Sequence, residues 1–100
     1  MSYVAPVFIR NSIHGLLTAR QLYHVPGPRR DVVLKVVRGA SNAWYVEIRA
    51  GAVKLYTSDL GTEVMATEHA KKCYPHLAAI SMCREASVED QVTAVLLQSL

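Results

Sequence analysis

Residues 12–38 read SIHGLLTARQLYHVPGPRRDVVLKVVR, and two incompatible periodicities meet inside them. In the first half, Ile13, Leu16, Leu17, Ala19 and Tyr23 fall on one broad face at helical spacing, and Ser12 can accept hydrogen bonds as an N-cap. The spacing predicts an amphipathic helix ending near Tyr23. Its flaws are Arg20 inside the apolar face, Leu22 outside it, and Gly15, which weakens a helix by up to about 1 kcal/mol relative to alanine. Pro26-Gly27-Pro28 then ends the helix, because a proline donates no backbone bond. The β-branched run Val32–Val37 that follows has the composition of a strand.

Working outward, DVVLKVV, WYVEIR and VKLYT are separated by the short connections GASNA and AGA, which predicts a three-stranded antiparallel meander. Alternation sends Trp44, Val46, Ile48, Val53 and Leu55 to one face, and Tyr45, Glu47, Arg49, Lys54 and Tyr56 to the other. From Thr67 to about Glu85, Ala70, Cys73, Leu77, Ile80 and Arg84 recur at three- and four-residue intervals, the mark of a second amphipathic helix. Pro75 either bends that helix or sits in the first turn of a restarted one. SVED, with Ser87 and Asp90 in a capping-box pattern, opens a last helix carrying Val92, Val95, Leu96 and Leu100. The expected architecture is therefore α+β: one domain over 1–100, ordered α-β-β-β-α, with both helices on the single apolar sheet face and an added C-terminal helix over 87–100. The opposite sheet face is expected to stay open.

A chain of 100 residues with 51% hydrophobic and 19% charged residues can bury one core. Its formal charge is +3, and the charge is unevenly placed. Arg29, Arg30, Lys35, Arg38, Arg49 and Lys54 face only Asp31 and Glu47 between positions 29 and 54, giving that segment +4 and the remainder −1. Such a segment favours anionic partners. The apolar runs are too short for a membrane span, and the first residues lack the pattern of a secretory signal, so a soluble, cytoplasmic protein without membrane insertion is expected. In that compartment Cys73 and Cys83 are expected as reduced, small hydrophobes.

No phosphate-binding glycine loop, nucleophile elbow or paired-cysteine zinc pattern is present, and the carboxylates are scattered. The chain is therefore read as a non-enzyme without cofactor. His69, Cys73 and His76 stand at i, i+4 and i+7, with Cys83 beyond, and zinc accepts such ligands. The spacing matches no standard finger, however, and a cysteine in an apolar helical stripe usually belongs to the core, so no metal is expected. The basic segment is the better lead. Cations on a firm surface bind phosphates, and Tyr45 and Tyr56 beside them could stack on bases. The alternative is that these are only the solvated face of a half-exposed sheet.

Leu22-Tyr23, a proline-containing linker with Arg29, the strand Val32-Val33-Leu34-Lys35, the ending Tyr56-Thr57-Ser58-Asp59, and Leu77 with Arg84-Glu85-Ala86 occur in order over about 12–86. In this the chain resembles the nine-kilodalton subunit of the signal recognition particle. Family members pair with a fourteen-kilodalton subunit of like fold, and the joined sheets clamp the Alu region of the particle's RNA. The complex slows translation during delivery of the ribosome to the membrane. The resemblance thus implies an RNA-binding, heterodimer-forming subunit, with the ribosome as an indirect partner and a homodimer in isolation as an option. By carry-over Arg29 and Lys35 contact RNA, and Arg30 clusters with them. Other family lysines, on the second and third strands, fall near Val46 or Glu47 and near Thr57 in this chain, so Arg38, Arg49 and Lys54 substitute for them only by proximity. The chain departs from the family in Pro75, in a longer connection before the second helix, and in 87–100.

The alternative keeps the fold without RNA, as a small protein-binding or inhibitory module using the open sheet or its edge. A double-stranded RNA-binding domain shares the α-β-β-β-α order, but Glu63 and Glu68 stand where its lysine cluster belongs.

Overall fold

The β-branched run forms strand β3 (Val32–Arg38), and it is buried on both faces: Val32, Leu34 and Val36 on one, Val33 and Val37 on the other. A strand with two buried faces needs a neighbour on each edge and cover on each side. The computed structural model, which describes residues 7–98, meets both needs. β3 pairs antiparallel with β2 (Thr18–Val25) on one edge and β4 (Trp44–Ala50) on the other. β5 (Val53–Thr57) follows β4 through a tight turn, and the two-residue β1 (Ile9–Arg10) pairs with β5. The sheet has five strands in the order β1-β5-β4-β3-β2.

Thr18–Val25 is thus a strand where helical spacing predicts a helix, and the α-β-β-β-α order with a three-stranded sheet is corrected to five strands followed by helices. The three expected strands are β3, β4 and β5; β1 and β2 are the additional ones. The reason lies in β3, whose free edge gains a full ladder from β2. Between Gln21, opposite Lys35, and Tyr23, opposite Leu34, the register shifts and Leu22 is the extra residue of a bulge. That insertion makes Leu22 and Tyr23 both half-buried, and a displaced alternation of this kind imitates helical spacing. Leu16 and Leu17, counted towards the apolar helical face, are instead 51% and 58% exposed in the connection before β2.

After β5, Thr62 caps α1 (Glu63–Cys73) by accepting a hydrogen bond from the Met65 amide at 3.1 Å. Pro75 lies in a single 3-10 turn over Tyr74–His76, and α2 (Leu77–Met82) restarts from it. After another such turn over Glu85–Ser87 comes α3 (Val88–Leu96), whose start the Ser87 side chain does not cap. Leu100, expected in this helix, lies outside the described residues. The helices cover one sheet face: Val32, Leu34, Val36, Val46, Ile48 and Leu55 pack with Ala66, Ala70, Cys73, Leu77, Ile80, Val88, Val92, Val95 and Leu96. The C-terminal helix is therefore a wall of the core rather than an addition to it. The linker between β2 and β3 passes close to α2, since a Cβ on Gly27 would lie 2.2 Å from the Ser81 Cβ. Only glycine fits there.

Candidate nucleic-acid interface

The ladder registers place the residues of the second sheet face in cross-strand rows. One row runs Ala19, Val37, Tyr45. The next runs Gln21, Lys35, Glu47, Tyr56, Arg10, and a third runs His24, Val33, Arg49, Lys54. The face is thus apolar at one end and basic at the other.

The apolar end is covered. β1 and β2 are consecutive in sequence but lie at opposite edges of the sheet, so residues 11–17 must cross its width. On the way Ile13 packs against Val37, Ala43, Tyr45 and Tyr56. Tyr45 is 7% exposed and Tyr56 4%, which corrects the expectation that both tyrosines lie open for stacking. Burial, followed by the hydrogen bond to and the negative charge of Glu47, pushes the Tyr56 phenol up to about 12. Arg10 places its guanidinium 6.0 Å from the centre of the Tyr45 ring.

The basic end is not covered. Arg49 and Lys54 are direct cross-strand partners beside the β4–β5 turn, and both are exposed. Lys35 is half-buried one row away, opposite the buried Glu47. His24, at the edge, lies 3.4 Å from the Asp31 carboxylate. Arg29 is exposed in the β2–β3 connection, at the same end of the sheet as the β4–β5 turn. Among the described residues none of Arg29, Lys35, Arg49 and Lys54 forms a salt bridge.

The remaining two candidates are used elsewhere. The Arg30 side chain is 7% exposed and turns to the helical side, where it donates to the Ile80 carbonyl at 2.7 Å and the Cys83 sulfur at 3.5 Å, and pairs with Glu85 at 3.3 Å. It ties the linker to α2 and does not face a ligand. Arg38 lies on the helical side by register, opposite Trp44, and donates to the Asn42 side chain at 2.5 Å. The charge cluster legible in the sequence therefore divides into Lys35, Arg49 and Lys54 on one face, Arg29 at its rim, and Arg30 and Arg38 away from it. Arg10 and His24 are the face residues that sequence reasoning missed. Both lie in or beside the segment read as a helix, and only the β1–β5 and β2–β3 registers bring them in.

On the helical side, His69 Nε2 meets the Leu96 carbonyl at 2.8 Å, and the Cys73 thiol points to the Val95 carbonyl at 3.5 Å. Burial pushes the Cys73 thiol up to about 12. Both cysteines are free, and among the described residues no three His, Cys, Asp or Glu side chains come together as a metal site. No helix among the described residues is long and apolar enough to cross a membrane.

The chain matches no family model, and neither a curated protein nor a solved structure is significantly similar to it.

Proposed function

We propose that the chain binds RNA through the uncovered end of its second sheet face, with Lys35, Arg49, Lys54 and the rim residue Arg29 meeting backbone phosphates. The observation that carries this reading is the Arg49–Lys54 pair. Like charges directly opposite one another destabilise a sheet, and this pair has no acidic partner among the described residues. A polyanion lying across the two strands relieves that repulsion and releases its own counterions. The choice of RNA over DNA comes from the resemblance. The narrower reading, a subunit of a signal recognition particle's Alu domain acting in translation arrest, draws on a leading helix that this fold replaces with a strand. RNA binding is therefore argued from the face.

The test is a titration of a folded RNA at several salt concentrations, with a DNA duplex as a second arm. The wild type is expected to show a steep fall in affinity with salt. The combined Lys35→Gln, Arg49→Gln and Lys54→Gln variant should remain folded, bind more weakly, and show a salt slope smaller by about 2 to 3. No binding at low salt, or equal binding by the variant, overturns the reading; preference for the DNA arm overturns the choice of RNA.

A second reading has one observation in its favour. β2 is an edge strand with Thr18–Gln21 exposed along it, and such an edge accepts an extended segment of another chain or a second copy. This is the protein-binding module, and a concentration-dependent mass in solution without RNA would favour it.

A further inference from the structure

The crossing segment has a property its length does not require. Among the described residues, 11–16 make no hydrogen bond to the rest of the chain; the flanking bonds are the Ser58 amide to the Phe8 carbonyl at 2.6 Å and the Leu17 amide to the Arg38 carbonyl at 2.9 Å. Residues 11–17 are all exposed except Ile13, which is half-buried. Ile13 is thus the one side chain of the segment that is partly buried on the sheet, and the Gly15 backbone lies close against Ala40 further along. Gly15, at φ +62°, gives it a bend that other residues adopt at a cost. Beneath Ile13 lie Tyr45 and Tyr56, diagonal neighbours on β4 and β5, with Val37 and Ala43 completing an apolar floor. Arg10 stands at its margin, 6.0 Å from the Tyr45 ring, and Lys35 shares the row of Tyr56.

We propose that Tyr45 and Tyr56 form a second, covered site for an unstacked nucleobase, and that Ile13 occupies it in the free protein. The proposal rests on RNA binding by the adjoining face. Sheet tyrosines offer a flat surface to any base, and cations at the margin meet the phosphates on either side of it. Arg10 and Lys35 supply those cations, while the buried Glu47 carboxylate accepts from the Tyr56 hydroxyl and so fixes the ring in place. Lifting one half-buried isoleucine breaks no hydrogen bond between 11–16 and the sheet, so a stacking base has little to displace. The resting face then reads phosphates alone, and the open one also holds a base.

The probes are a short oligoadenylate and an abasic oligomer of equal length and charge. In wild-type protein labelled at isoleucine methyls, the Ile13 methyl in contact with the rings should carry a ring-current shift. Oligoadenylate should move it towards the position of a free isoleucine, and the abasic oligomer should not. Ile13→Ser should raise the preference for oligoadenylate over the abasic oligomer by about two- to five-fold, the cost of lifting a half-buried isoleucine off the rings. Adding Tyr45→Leu should abolish the gain. If both oligomers bind and leave the Ile13 methyl in place, the second site is overturned while phosphate binding stands. Should neither oligomer bind, RNA recognition fails and the site fails with it. The methyl measurement needs no variant, so an Ile13→Ser chain that does not fold leaves the proposal open to refutation.

Discussion

The Arg30 guanidinium donates to the Ile80 carbonyl at 2.7 Å, across fifty positions of the chain, and so fastens the entrance of β3 to the end of α2. The carbonyl lies in the last turn of α2, where it also accepts from the Cys83 amide at 3.4 Å, and a cation is favourable at that position. The partner carboxylate Glu85 is 81% exposed, so the ion pair itself contributes little. Most of the stabilisation is the charge-assisted hydrogen bond.

Arg30→Ala is accordingly expected to lower stability by about 1.5–3 kcal/mol, and the exposed neighbour change Arg29→Ala by less than about 0.5 kcal/mol. Urea unfolding of the two variants, compared at equal slope, reads the difference. Equal losses would mean that Arg30 does not tie the linker to α2.

The sheet faces predict a second contrast. Ile48 is fully buried under the helices, whereas Lys54 is exposed on the other side. Ile48→Ala should cost about 2–5 kcal/mol and Lys54→Ala should stay within about 0.5 kcal/mol. Thermal melts of the two proteins distinguish them.

His69 makes stability depend on pH. Burial lowers its pKa below the ordinary value, the neighbouring Lys72 also lowers it, and the Leu96 carbonyl works the other way. The native state therefore holds the imidazole neutral, with Nε2–H donating to Leu96, while the unfolded chain takes up a proton near pH 6.5. Below that pH the unfolded state binds more protons, so stability is complete above it and falls as pH drops further. Melting temperatures from pH 8 to pH 5 should show this decline, and His69→Gln should reduce it.

The two cysteines should differ in reactivity. Cys73 is fully buried with its thiol pushed up to about 12, whereas Cys83 is half-buried near the surface. A disulfide reagent should label Cys83 in the folded protein and reach Cys73 only on unfolding. Simultaneous labelling at both positions in native buffer would contradict the packing of α1 against α3.

Where the sequence was legible, the signal was local. The meander from Val32 to Thr57 announces itself by alternation between short turns, and the stripe Ala70, Cys73, Leu77, Ile80 marks a helical face even with Pro75 inside it. The segment 12–25 was illegible because its conformation is set by a distant demand, the unpaired edge of β3, and because the bulge at Leu22 erases the period of two. The site divides in the same way. Arg49 and Lys54 follow from strand alternation, but whether an arginine near a strand end faces outward or grips a helix depends on contacts fifty residues away, as Arg30 shows. Nothing local marks Ile13 as the cover of two tyrosines.

The position of α3 as a wall of the core sets a schedule for synthesis. The meander is made before the helices, and its apolar face, with Val46, Ile48 and Leu55 on it, is complete once β5 has emerged. That face cannot be fully covered until Val92, Val95 and Leu96 have also left the ribosome, some forty residues later. Throughout that interval the growing chain displays a hydrophobic sheet with two open edges, the form most prone to pair with a neighbouring copy. Conditions that slow elongation across 58–96 should therefore lower the yield of native protein more than any comparable delay upstream.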